Sequence, residues 1–305
     1  MKFKIFKLIK RLTQLSLLFL LGVIAFFIGE STYENIKKDE IIQAFKARAD
    51  EVYTEEKYDT TYHYYPIKRI YDYELNDTRN VFYDESKMYP GVKGDVLLTF
   101  KSPFPYIPVL DPVISFWLGG HAALVSDNNQ ILQSTGMTAN GFLDISTMLN
   151  VILHRGYDEE NVYGVSVQQV SNYWMIPHRT QSHGEYPYYG AYYRDEILAT
   201  RVKFEDASRI QEEVDIAVNF AKDKVNRGLY NYLFIFDTQD KFYCSDLVTR
   251  SYLAVNDVNQ TNYSLDEDGF IPSIQDMLIS NDTYMTIYKE TKADGIHIYY
   301  LEDIS

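Results

Sequence analysis

Apolar residues are spread unevenly along this chain. Residues 12–29 read LTQLSLLFLLGVIAFFIG, a run with no charged side chain and close to the ~20 residues that cross a bilayer as a helix. Beyond it, Ile41, Ile42, Phe45, Ala49 and Val52 recur at helical spacing among charges, which predicts an amphipathic stalk helix to about Val52. Residues 53–90 are tyrosine-rich and polar, with turn signals at Asn76-Asp77 and Pro90-Gly91. They read as an irregular wrap or N-terminal lobe.

From Gly91 the pattern shortens to strand-length runs. Val96-Leu97-Leu98 follows Gly94-Asp95, and His121 to Val125 follows Gly119-Gly120. Gln130 to Gln133 returns after the turn Asp127-Asn128-Asn129, so the last two runs predict a β-hairpin. Residues 136–195 show no clear period; the block Tyr186 to Tyr193 reads as an aromatic loop. Glu196 to Lys203 is a further strand. Asp206 caps a helix to about Arg227, with Ile210, Val214, Ala217, Val218, Ala221 and Val225 on one stripe and Gly228 as its stop. Cys244 opens another helical run through Leu253, and Ile296 to Tyr300 forms a closing strand. The order of elements predicts an α+β fold, a small antiparallel sheet packed on helices. Three stretches result: 1–30 as membrane anchor or signal, 31–90 as stalk helix and N-terminal lobe, and 91–305 as the domain that carries the chemistry.

Charge sharpens the reading of the N-terminus. Lys2, Lys4, Lys7, Lys10 and Arg11 precede the apolar run without an acid, so a formal net charge of −14 leaves −19 on residues 12–305. So acidic a body is a poor partner for nucleic acid, whose phosphates need basic side chains. The basic cluster instead places the N-terminus inside by the positive-inside rule, and everything after about residue 30 outside the cytoplasm. A cleaved signal peptide, giving a secreted protein, is the competing reading. The absence of an Ala-x-Ala site favours a single-pass anchor in the cell membrane.

Cys244 is the one cysteine, which excludes an intramolecular disulfide. It is either a small buried hydrophobe on a core helix or a reactive thiol. A thiol at a helix N-terminus gains from the helix dipole and from a nearby imidazolium, which together depress its pKa. Its own N–H could then serve an oxyanion. His121, opening a strand after two glycines, is the candidate base. Gln133 falls at the matching height on the return strand, where its amide could orient the imidazole. No cofactor is implied, and no His/Asp/Glu cluster shows metal-ligand spacing.

The set Gly94-Asp95-Val-Leu-Leu98, Gly120-His121-Ala-Ala-Leu-Val125, Ile131-Leu-Gln133, Tyr230-Asn231 and Tyr243-Cys-Ser-Asp-Leu-Val248 resembles the YiiX-like permuted papain-fold amidases. These are relatives of the NlpC-type cell-wall cysteine peptidases. The resemblance spans about residues 91–290, including Ile271-Pro272-Ser273 and Ser280. It implies a circularly permuted papain-like fold in which the histidine strand precedes the cysteine helix, as His121 precedes Cys244. It implies Cys244 as nucleophile, His121 as base and Gln133 as orienting group. Gly228-Leu-Tyr-Asn231 is similar to the Gly-x-Pro-Tyr stretch of NlpC-type peptidases, which makes Tyr230 a candidate oxyanion or substrate donor. Two positions depart from the family: Gln133 and Asp246 each stand where glutamate is common. Residues 136–195 are longer than the family pattern and suggest a specificity insertion.

The sequence therefore points to a membrane-anchored extracytoplasmic cysteine hydrolase cleaving peptide, peptidoglycan-derived or lipid-linked amides. A lipid-directed thioesterase or acyltransferase on a permuted papain fold is the second reading, with the apolar residues between Phe104 and Leu118 lining a groove. A non-catalytic envelope binding module is the third.

Overall fold

The computed structural model describes residues 2–57, 59–100, 120–137, 144–160, 162–175, 195–234, 239–266, 269 and 271–304. The blocks Phe104 to Leu118 and Tyr186 to Tyr193 lie outside the described residues.

The anchor and stalk expected as separate elements form one helix, α1 (Lys2–Lys46). No proline interrupts the run, and Gly22 and Gly29 alone do not break it. Its two parts meet different surroundings. Leu12 to Leu21 are exposed on all sides, with Phe19 at 75%. From Ser31 onward one side turns inward, burying Ser31, Glu34, Ile42 and Phe45. The chain thus has one N-terminal helix long and apolar enough to span a membrane.

The remaining elements are β1 (Tyr53–Lys57), β2 (Thr60–Ile67), α2 (Asp72–Asn76), β3 (Val96–Thr99), β4 (His121–Val125) and β5 (Gln130–Ser134). They continue with α3 (Ile145–Leu153), β6 (Val167–Ser171), β7 (Glu196–Val202), α4 (Ile210–Asp223), β8 (Leu229–Tyr230) and β9 (Lys241–Phe242). The last four are α5 (Cys244–Asn259), α6 (Asp276–Ile279), β10 (Thr283–Lys292) and β11 (Gly295–Leu301).

Nine strands form one mixed sheet in the order β1-β2-β11-β10-β7-β3-β4-β5-β6, and β8 pairs with β9 apart from it. Every neighbour in the large sheet is antiparallel except β11 and β2, which run parallel. The architecture is therefore mixed α/β with a large sheet, where the sequence pattern predicts a small antiparallel one.

The hidden strands explain the difference. β2 reads TTYHYYPI and buries Tyr62 and Tyr64 completely. Hydroxylated aromatics serve here as core, so a stretch that scores as polar is a sheet interior. β10 is buried along its first seven residues and offers no alternation. Residues 53–90, read as an irregular wrap, add two strands to the sheet and, through β2, Val81, Phe82 and Met88, residues to the main core. The helix after Asp206 begins as expected, through a 3₁₀ turn capped by the Asp206 carboxylate on Ser208 N–H. It ends at Asp223, and Asn226 (φ 59°) supplies the left-handed residue assigned to Gly228.

The core that positions the site is the middle of the sheet, where Leu97, Leu98, Ala122, Ala123, Leu124, Ile131 and Leu132 are fully buried. α5 lies over β4 and β5, and α4 packs on α5. Asp95 is fully buried and accepts from Arg201 Nε at 2.7 Å and Nη2 at 2.8 Å. Arg201 also donates to the carbonyls of Arg79 and Asn80. A buried pair needs this kind of complete satisfaction, so Asp95 is a clamp between the β3 entry and β7.

Candidate active site

The β4–β5 ladder determines where His121 and Gln133 sit. Leu124 pairs with Leu132 and Val125 with Ile131. Carrying that register onward puts Gln133 opposite Ala123, on the same face as His121 and diagonal to it. Diagonal neighbours are within reach of long side chains. His121 Nε2 is 2.9 Å from Gln133 Oε1, and Gln133 is buried. The same Oε1 accepts from Tyr173 Oη at 3.0 Å. An amide oxygen only accepts, so Nε2 of His121 donates to it. The Trp174 indole stacks along the imidazole, 5.9 Å between ring centres at 12°. Gly120 makes the entry possible: its φ is +73°, and a Cβ there would lie 2.7 Å from the Thr99 carbonyl oxygen.

Cys244 reaches the same place from the other side. β9 runs through the extended N-cap Tyr243 directly into α5, so Cys244 is the first helical residue. β4 and β5 pair closely over only two positions. Where they part, Ser134 Oγ donates to the Phe242 carbonyl at 2.6 Å and holds the approach to the helix. The backbone N–H groups of Ala122, Ser245 and Cys244 lie near the Cys244 sulfur and favour its thiolate. Ala122 is the residue after His121, so the strand that carries His121 also presents a backbone donor to the thiol.

The thiol's electrostatics differ from the sequence expectation. Burial pushes the Cys244 thiol above its ordinary pKa, and the three N–H groups, which favour the thiolate, do not overcome it. The sulfur is half-buried against apolar neighbours.

A third segment closes the site. Ser245 Oγ donates to the Pro272 carbonyl at 2.7 Å. Ile274 packs against Gly120, where an added Cβ would meet its Cγ1 at 3.1 Å. Between them, Ser273 Oγ donates to the buried Glu34 of α1 at 2.9 Å, and Asp276 accepts from Ser273 N–H at 2.7 Å. The apolar N-terminal helix is thus hydrogen-bonded to the segment touching both the cysteine helix and the histidine strand.

Tyr230 sits one strand away. It pairs with Phe242 across β8–β9, while its ring packs on Tyr232 and Phe234 and faces Gly136. Phe234 in turn reaches Tyr243, at 5.3 Å between ring centres. Tyr230 accordingly supports the approach to Cys244 through an aromatic chain. Asp246 lies in the first turn of α5 and pairs with Arg250 at 3.5 Å.

Sequence reasoning missed Tyr173 and Trp174. They follow β6, inside the stretch 136–195 read as an insertion, yet β6 pairs with β5 and these two rings hold Gln133 and His121. The adjacent aromatic pair after Val170-Ser171-Asn172 was the available signal. Comparison with family models, curated proteins and solved structures finds no match for this chain.

Proposed function

We propose that this protein is a membrane-anchored cysteine hydrolase of amide bonds, with a permuted papain-like fold. One observation carries the reading: the imidazole of His121 is held by the Gln133 amide, and the backbone N–H of the next residue, Ala122, lies close enough to the Cys244 sulfur to favour its thiolate. A cysteine, a histidine and a side-chain amide form the constellation of papain-like proteases. The histidine-first order supports the permuted version.

The chemistry follows from the protonation states. Cys244 begins as a thiol, so His121 Nδ1 removes its proton as sulfur attacks the amide carbonyl. The S–C bond forms, and backbone N–H groups gathered at the α5 terminus stabilise the negative oxygen. The imidazolium then gives its proton to the departing nitrogen as the C–N bond breaks. Water attacks the resulting thioester, with His121 again the base, and releases the acid and the thiol. Gln133 is neutral; it fixes the tautomer and direction of the ring without sharing its charge. Peptide or peptidoglycan-derived amides are the substrates that an extracytoplasmic orientation of α1 favours.

The contact between Glu34 and Ser273 supports a second reading. Glu34 lies five residues beyond Gly29, about 7.5 Å along a helix, so the closing segment would stand near the bilayer surface. That position suits a lipid-directed thioesterase or acyltransferase, or a lipid-linked amide.

The test uses the full chain in detergent micelles with peptides, muropeptides and acyl lipids, products being read by mass spectrometry. Release of amine from peptides or muropeptides, abolished in Cys244→Ala and reduced about 10²-fold or more in His121→Ala, is the expected result. Turnover of acyl lipids alone would select the second reading. Wild type indistinguishable from Cys244→Ala on every substrate would make this a binding module.

A further inference from the structure

The far end of the sheet brings together three ligand-type side chains that nothing in the hydrolase reading uses. His63 on β2 and His297 on β11 are direct partners in the parallel ladder. Their rings stack with centres 4.5 Å apart at 21°. Asp294 stands in the β10–β11 turn above them. That turn is drawn tightly onto β2 because Gly295 (φ +138°) lies where a Cβ would come 2.2 Å from the Thr61 carbonyl oxygen. As a result His297 Nε2 is 3.0 Å from Asp294 Oδ1, and His63 Nε2 is 3.2 Å from the Asp294 carbonyl oxygen. One ligand atom from each of the three residues lies within 4.8 Å of the others.

We propose that His63, Asp294 and His297 form a binding site for a divalent transition-metal ion of the zinc type. Two imidazole nitrogens and one carboxylate oxygen suit zinc-like ions, which bind such ligands at about 2.0–2.2 Å. Tetrahedral bonds of that length set ligand atoms about 3.4 Å apart, a contraction that needs rotation of the exposed Asp294 side chain and of the half-buried His63 ring. Buried His297 already has the supporting contact that metal-bound histidines use. Its Nδ1 is 3.0 Å from Tyr65 Oη, which fixes the ring and directs Nε2 toward Asp294. Tyr65 is itself held by stacking on Tyr299 at 4.2 Å.

The site is separate from the Cys244 chemistry. β11 and β4 are four strand spacings apart, about 19 Å at 4.8 Å each. Its effect is therefore on the fold. An ion there clips β2, from the first quarter of the chain, to the last strand, and ligand binding to the folded state alone raises stability by mass action.

The experiment is a Zn²⁺ titration of the full chain in competition with a chromophoric chelator, together with thermal unfolding at each metal concentration. Wild type and Cys244→Ser should each bind one equivalent with a rise in Tm. His297→Ala and His63→Gln should lose that equivalent and the Tm rise while keeping the wild-type circular dichroism spectrum. Tyr65→Phe preserves the ring and the packing, and should weaken binding about 10- to 100-fold. Binding that survives both histidine substitutions but disappears in Cys244→Ser would assign the ion to the other site and overturn the proposal. So would a wild-type chain that fails to compete with the chelator, or a Tyr65→Phe chain that binds as wild type does while His297→Ala unfolds.

Discussion

At the scale of single residues, the account turns on how a neutral amide and a half-buried thiol share a site. Gln133 accepts from both His121 and Tyr173 through one oxygen. Gln133→Ala should therefore lower turnover about 10- to 100-fold through loss of ring orientation. It should also cost roughly 1–3 kcal/mol, because the Tyr173 hydroxyl is left buried without that acceptor. A pH profile of Cys244 alkylation tests the electrostatics. Burial raises the thiol, so the midpoint in the folded chain should lie above that of the unfolded chain. The neutral thiol is then the favoured form in the fold, and its contribution to stability is lost as pH rises from the unfolded toward the folded value. Gln133→Glu adds an anion beside the imidazole, favours imidazolium, and should bring the midpoint down. A wild-type midpoint below that of the unfolded chain would mean a resting thiolate–imidazolium pair instead. The starts of a helix and a strand and the hairpin register mark Cys244, His121 and Gln133 in the sequence, while the roles expected of them rest on the family resemblance. The thiol's direction of shift was not legible there, since it depends on packing around the sulfur.

At the scale of elements, the strands flanking the site and the two helices on it could be read from hydrophobic runs and a cap residue. The elements that escaped share a physical cause. β2 builds core from tyrosine, β10 is buried without alternation, and β6 places Val167 and Val170 on opposite faces among polar residues. Pairing partners distant in sequence decide such strands, and no local pattern encodes them. The docking of α1 was hidden for the same reason: Glu34 looks like one more charge on a stalk until Ser273 meets it. That contact predicts a coupling. In a double-mutant cycle with Glu34→Ala and Ser273→Ala, measured by denaturant unfolding in detergent, the interaction energy should be about 1.5–3 kcal/mol, the range for hydrogen bonds to charged groups. Strict additivity of the two substitutions would show that α1 is not held to the closing segment through this pair.

At the scale of the whole molecule, one long helix precedes a nine-stranded sheet whose central strands carry His121 and underlie the helix that Cys244 opens. Residues far apart in sequence meet there: Glu34 with Ser273, Ala122 with Cys244, Asp95 with Arg201. The acidic body and the basic N-terminus suggested the orientation of the chain; the size of the sheet and its parallel β2–β11 junction emerged only with the fold. The central claim is that Cys244 attacks a carbonyl with His121 as its base. The most direct test exposes the full chain to an activated acyl ester and follows the intact mass and the modified peptide. The account predicts a single acyl adduct on Cys244 that hydroxylamine removes. The adduct should form at least about 10²-fold more slowly in His121→Ala and be absent in Cys244→Ala. An adduct that forms at the same rate in wild type and His121→Ala, or that maps away from Cys244, would contradict it.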